Sequence, residues 1–204
     1  MDIELPPGLR EATQADWRQV GDITGEAFED DPVNLWIFGD TRPLKRVFSV
    51  LAQEIYLKDG ICHLAGDGGA TMWIESQKRK ELGLWPVLRL APTLLFRASQ
   101  GTIFRALKAA DVMDEHHPKD PHLYLFTIGT RKANRGQGLG KLMMAPMKAA
   151  ADKARMPCYL ENSNPMNTGF YRSHGFERMK MFEVGPGAPP LEAMWREPSD
   201  PLRV

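Results

Sequence analysis

The apolar positions change period near residue 122, and the two halves of the chain predict different elements. In the first half, Leu9 to Ala12 reads as a short strand leading to Thr13, a good helix N-cap. An amphipathic helix follows from about Asp16 to Phe28, until EDDP, Glu29 to Pro32, stops it. A loop holding Trp36 and Phe38 precedes a second helix, about Arg42 to Leu57. Two short strands, about Ile61 to Ala65 and Ala70 to Glu75, flank the hairpin turn GDGG at Gly66 to Gly69. The most apolar stretch, Leu82 to Ala110, is divided by Pro86, Arg89, Pro92, Arg97 and Arg105 and reads as two amphipathic helices covering a core. HHPKDP follows as a loop that takes in His116 and His117 and ends at Pro121.

In the second half, LYLFTIGT at Leu123 to Thr130 is β-branched and aromatic, Lys141 to Ala154 is helical, and Cys158 to Asn162 is a strand again. Strand, helix, strand in that order predicts a parallel pair. Pro146 inside the helix predicts a kink or a local loss of hydrogen bonding. A short helix around Pro165 to His174 ends at Gly175, and Phe176 to Val184 with Leu191 to Arg196 closes an antiparallel hairpin. No repeat or low-complexity linker interrupts residues 1–204, so the expectation is one domain of the α/β (α+β) class.

Composition narrows the partners. Basic and acidic residues balance at 26 each, which leaves no net field for gathering polyanions, so nucleic acid is not expected as a partner. The most apolar stretch is too interrupted to span a bilayer, and the acidic, proline-bearing start does not resemble a signal peptide. Two cysteines, Cys62 and Cys158, have no metal or disulfide spacing, and the histidines lack a helical HExxH pattern. A cytoplasmic protein without a metal is the expectation.

The chemistry lies in RGQGLGK, Arg135 to Lys141, between a predicted strand and a predicted helix. Glycines 136, 138 and 140 let the chain turn with its amides inward, and the helix dipole favours an anion there. A dinucleotide fingerprint requires GxGxxG, but the third glycine comes one residue early. A P-loop requires a glycine where Arg135 stands and Ser or Thr where Leu142 stands. A phosphate-bearing cofactor of another kind is implied.

The segment resembles the acyl-CoA loop of the GNAT acetyltransferases, with Arg135, Gly138 and Gly140 at the three motif places. ENSNPMNTGFYRSHGF, Glu161 to Phe176, resembles the second motif of that superfamily. HHPKDPHLYLFTIGT, YLENSNPMNTGFY, AFEDDP at Ala27 to Pro32 and the strand around Trp73 are similar to its puromycin N-acetyltransferase-like branch. The chain departs from that branch at Thr130 and Lys132, and at Ser76-Gln77 after the tryptophan strand, which bears on the shape of the acceptor side.

The resemblance implies a GNAT fold: a central mixed, twisted sheet of about six to seven strands, flanked by helices, with a splayed parallel pair holding the pantetheine arm of acetyl-CoA. The cofactor-binding core would span about 122–184 and the acceptor side mainly 1–121. Ile128, Gly129 and Thr130 would offer main-chain groups to the pantetheine, with an N–H near Thr130 facing the thioester oxygen. Arg135, Gly136, Gln137, Gly138, Leu139, Gly140 and Lys141 would hold the pyrophosphate, with Asn164 and Asn167 helping. Tyr171 matches the general acid and Glu161 is the candidate base. Asp30, Asp31, Trp36, Phe38 and His122 are candidates for the acceptor side.

Bland readings stand beside these: Tyr171 as a core aromatic, the asparagines as helix caps, Asp31 as a cap, Trp36 as a packing residue, His122 as structural. For Glu161 the bland reading is an acceptor of backbone amides. The implied activity is acetyl transfer to a primary amine of a small molecule by a monomer or homodimer. Acetylation of protein N-termini or lysines, and a turnover-deficient acyl-CoA sensor, are the alternatives.

Overall fold

The computed structural model describes residues 1–78, 89–94 and 98–199. Seven strands form one sheet in the order β1-β2-β3-β4-β5-β7-β6. They are β1 Arg10–Glu11, β2 Ile61–Ala65, β3 Gly69–Glu75, β4 Leu123–Thr130, β5 Cys158–Asn162, β6 Glu177–Glu183 and β7 Pro190–Arg196. β4 and β5 are parallel and every other neighbouring pair is antiparallel. This is the mixed α/β arrangement expected from the sequence, with the helix between β4 and β5 supplying the crossover.

The helices are α1 Trp17–Ala27, α2 Pro32–Phe38, α3 Leu44–Leu51, α4 Thr102–His116, α5 Leu139–Lys153 and α6 Thr168–Ser173. α3 runs on through a π-helical turn, Ala52–Tyr56, and a last α-turn, Leu57–Asp59. One face of the sheet packs Leu64, Met72, Ile74 and Tyr124 against Val20, Ile23, Leu44 and Phe48 of α1 and α3. The other packs Trp73, Leu123, Leu125 and Leu160 against Met144 and Met147 of α5 and Tyr171 of α6.

Three expectations are corrected. The aromatic segment after EDDP is helix α2, because Asp31 caps it by accepting from Asn34 N–H at 2.8 Å, Pro32 takes the first turn and Gly39 closes it at φ 65°. The same EDDP that stops α1 therefore starts α2. His116 and His117 are not loop residues: His116 ends α4, and His117 is its C-cap, turned inward with its side chain 8% exposed. α5 begins at Leu139 rather than Lys141 and continues through Pro146, which lies buried. The first of the two amphipathic helices expected from Leu82 falls partly outside the described residues, of which 89–94 are helical.

Candidate functional site

β4 runs out at Thr130 into a 3-10 turn, Lys132–Asn134, and then Arg135 to Gly138 lead into α5. Gly136 and Gly138 take φ of 77° and 80°, and a Cβ at either would meet nothing within 4 Å. Backbone conformation, and not crowding, selects glycine at both places. Residues 135–138 are exposed, and the first N–H groups of α5, at Leu139, Gly140 and Lys141, lie at a helix start where none has an acceptor one turn back. Gly140 answers to packing, since a Cβ there would stand 3.2 Å from the Phe170 ring.

The cations of this loop are held from the end of α1. Arg131 pairs with Glu26, Lys132 Nζ lies 3.1 Å from Glu29 and 3.2 Å from Asp30, and Arg135 lies 3.2 Å from Asp30 and donates to the Ala27 carbonyl at 3.1 Å. Lys132, then Arg135, hold the Asp30 carboxyl below its ordinary range. Asp30 thus lies against the glycine loop.

β4 and β5 pair only through Leu123 with Cys158 and Tyr124 with Tyr159. Beyond Tyr124 the edge of β4 from Leu125 to Thr130, roughly 20 Å of strand, faces no β5 partner. A register shift where Met72 opposes Thr127 but Trp73 opposes Leu125 leaves Phe126 bulged at the start of that edge. Gly129 lies here because a Cβ would come within 2.6 Å of Ala27. An open strand edge ending at exposed glycines and a helix N-terminus fits the pantetheine arm and pyrophosphate of acetyl-CoA. Ile128, Gly129, Thr130 and Arg135 to Lys141 line that edge and the loop at its end.

Tyr171 sits on α6 under that edge, 8% exposed among Trp73, Leu125, Met144, Leu160 and Phe176. Burial, then the charge of Asp31, push its phenol well above its ordinary value. Asp31 is itself buried, caps α2 and accepts from the Ser163 hydroxyl just after β5. Asn164 caps the 3-10 turn Pro165–Asn167 by accepting from Met166 N–H at 3.1 Å, while Asn167 precedes α6 without a side-chain cap. Asn162, 2% exposed, donates to Thr168 Oγ1 of α6 at 3.0 Å and to Glu192 Oε2 of β7 at 3.1 Å. Burial raises the Glu192 carboxyl, but bonds from Thr168, Arg178 and Asn162 outweigh it and leave the group below its ordinary range.

On the opposite face of β5, the Glu161 side chain is 2% exposed with Oε1 3.5 Å from His117 Nδ1. His117 Nε2 is 3.0 Å from His122 Nε2, and His122 Nδ1 is 2.7 Å from the Asp120 carbonyl. An aromatic row continues from His117 through Tyr124 and Phe126 to Tyr56, Phe48 and Phe28. Phe38 belongs to the buried core. Trp36 lies on the β6–β7 connection, where a Cβ at Gly185 would stand 2.8 Å from its ring, with the Arg105 guanidinium 6.0 Å above it. Sequence reasoning passed over His117, Ser163 and Asn162. Pro118 explains why the helix ends at His117, but nothing local marks that side chain as turned inward.

A groove of about 540 Å³ lined by Asp120, Gly175, Arg178, Trp195 and Glu197 opens on another part of the surface and includes neither the glycine loop nor Tyr171. The chemistry-bearing residues gather instead around the parting of β4 and β5.

Residues 99–178, from the turn before α4 to the start of β6, match the family model of the acetyltransferase (GNAT) domain. The fold is shared with a Corynebacterium glutamicum protein described as histone acetyltransferase HPA2 and related acetyltransferase, at 24% identity and TM-score 0.69 over 95% of this chain and 97% of that one. It is shared with the C-terminal condensation domain of Ebony in complex with beta-alanyl-dopamine, at 12% identity and TM-score 0.64 over 96% and 100%. Arylalkylamine N-acetyltransferase 2 from Aedes aegypti aligns at 16% identity and TM-score 0.58 over 94% and 98%. The fold is thus that of GNAT acetyltransferases. Together the domain match and the parted strands support an acyltransferase enzyme of the GNAT type.

Proposed function

We propose that the chain is an acetyl-CoA-dependent N-acetyltransferase that moves the acetyl group directly to a primary amine of a small molecule, within the puromycin N-acetyltransferase-like branch. The observation that carries this is the parting of β4 from β5 after Tyr124, with the glycine loop at one end of the open edge and Tyr171 and Glu161 on its two sides. Acetyl-CoA supplies an activated acyl group with a thiol leaving group. Arg135 to Lys141 bind its pyrophosphate, main-chain groups of Ile128 to Thr130 align the arm, and Tyr171 holds a proton for the departing sulfur.

Neither cysteine offers a thiolate for a covalent route: burial, then the charge of Glu11, push the Cys62 thiol far up, and burial pushes Cys158 up to about 11. Both are free and buried, which suits a reducing compartment such as the cytoplasm. The aromatic row and the Glu161 carboxylate favour an amine with an apolar or ring-bearing body. Amine-related names among the proteins that share the fold, arylalkylamine N-acetyltransferase and the Ebony domain with beta-alanyl-dopamine, agree with that choice.

The test is calorimetric titration with acetyl-CoA, then an amine panel and a peptide panel read by release of free thiol. Turnover on small amines is the expected result. Turnover on peptides alone would move the assignment to protein acetylation, and binding without turnover would make the chain an acyl-CoA sensor.

A further inference from the structure

We infer that His117 is a positioning residue for the base of this reaction, sharing a seat for one proton with Glu161 in a tautomer set by His122. The inference rests on the acetyltransferase reading and deepens it. It follows from a count of hydrogens. The Asp120 carbonyl only accepts, so His122 Nδ1, 2.7 Å away, carries a hydrogen. In the neutral ring His122 Nε2 is then a lone pair, and the 3.0 Å contact requires His117 to donate from its own Nε2. That leaves a lone pair at His117 Nδ1, facing Glu161 Oε1 at 3.5 Å. Among the described residues neither atom has another hydrogen-bond partner. Two electron pairs facing each other make a seat for one proton. With the cation on His122 instead, Nδ1 still donates to the Asp120 carbonyl, while Nε2 donates to His117 Nε2 and His117 Nδ1 donates to Glu161, which places the same extra proton on the line.

The line is rigid and enclosed. His117 meets the edges of Tyr124 and Tyr159 at 4.8 and 4.9 Å, and His122 meets Tyr159 and Trp195, each at 5.4 Å. The charged and titratable groups around His117 are Glu161 and Tyr159 of β5, Tyr124 of β4, His122 before it, and Asp114 and Asp120 on either side of the turn. His116 faces away and stacks on Phe182 at 4.3 Å. Two imidazoles in direct Nε2 contact do not make a metal site, and among the described residues no group of His, Cys, Asp or Glu is placed to hold one.

In the reaction an ammonium acceptor gives one N–H proton to the empty seat, and the freed electron pair forms the N–C bond. The thioester C–S bond breaks with its pair on sulfur, which takes the Tyr171 proton. The nitrogen's second proton replaces that one through solvent, and the seat empties to solvent when the amide leaves.

Nitrogen-15 imidazole spectra of the ligand-free full chain test the tautomers without any substitution. The expected result is His122 protonated at Nδ1 and His117 at Nε2 in the basic range; His122 in the other tautomer overturns the inference. With the amine that the wild-type protein acetylates best, His117→Gln is expected to lower kcat/KM about tenfold or more and to move the acid limb of its pH profile, with the KM for acetyl-CoA unchanged. Glu161→Gln alone and combined with His117→Gln are expected to share one rate, because a unit fails as a unit. Turnover with an unmoved acid limb in His117→Gln refutes this role alone, whereas wild-type protein that acetylates no amine refutes the acetyltransferase reading with it.

Discussion

Replacing Gly138 by valine separates the anion site from ordinary turn geometry. Gly138 stands at φ 80° and ψ 1°, the left-handed conformation, and a valine there is strained by about 1–2 kcal/mol. A Cβ at that place meets nothing within 4 Å, so no packing is lost and no neighbour is displaced. For a chain of this size the strain predicts a melting temperature lower by about 2–8 °C. On the proposed function the pyrophosphate takes the open space beside Gly138, so the isopropyl group also takes ligand volume, and acetyl-CoA should bind more than tenfold more weakly, about 1.4 kcal/mol or more. Gly187→Val is the control, because Gly187 has φ 74° and the same empty surroundings but lies in the β6–β7 connection. Calorimetry with acetyl-CoA and thermal melts on both variants decide the matter. Equal loss of melting temperature with loss of affinity only at position 138 is expected; unchanged affinity in Gly138→Val would place the cofactor elsewhere.

Tyr171→Phe should lower kcat about a hundredfold at saturation while the Kd for acetyl-CoA holds, and an equal kcat with chemistry rate-limiting would return Tyr171 to the core. Burial pushes His63 down to about 4, so the unfolded chain binds a proton there below its ordinary value of 6.5 and the folded chain does not. Stability therefore falls as pH drops from about 6.5 toward 4, by about 2 kcal/mol near pH 5, and melts of His63→Gln should lack that part of the acid slope. Trp36→Ala removes a half-buried ring from the Gly185 backbone and should cost about 2 kcal/mol, or roughly 4–8 °C; a raised KM for aromatic amines with no thermal loss would make it a pocket wall instead. Asp30→Asn leaves Arg135 without its carboxylate partner and Lys132 with Glu29 alone, and should tighten acetyl-CoA binding about two- to fivefold at low salt, whereas a raised amine KM with unchanged acetyl-CoA affinity would make Asp30 an acceptor residue.

Much of the fold could be read in the chain because its second half follows periodic rules. Leu123 to Thr130 and Cys158 to Asn162 are strands at their expected bounds, since β-branched and aromatic runs between turn residues admit little else. The glycine loop was legible for a similar reason: positions 136 and 138 require backbone freedom that local sequence expresses directly. Helix α2 was not, because its start depends on one buried carboxylate, Asp31, whose orientation is fixed partly by the distant Ser163 hydroxyl and the surrounding core. Nor was His117. Its neighbours, Glu161 and His122, approach only when the turn after α4 folds beneath β4 and β5, and a histidine before a proline carries no local sign of burial. Long-range register decided these residues, and periodicity does not encode it.

Asp30 and Asp31 show how one short connection joins the two sides of the site. They are adjacent, yet Asp30 is exposed and lies between Lys132 and Arg135 of the glycine loop, while Asp31 is 5% exposed and joins the start of α2 to Ser163 after β5. The two side chains point apart, so a dipeptide between α1 and α2 reaches both the β4 side and the β5 side of the opening. Its negative charge has opposite consequences on the two sides. At Asp30 it offsets part of the charge of Lys132 and Arg135; at Asp31 it helps keep the Tyr171 phenol protonated. A change in the length of EDDP would shift both carboxylates together, which is why this turn constrains the site more tightly than its surface position suggests.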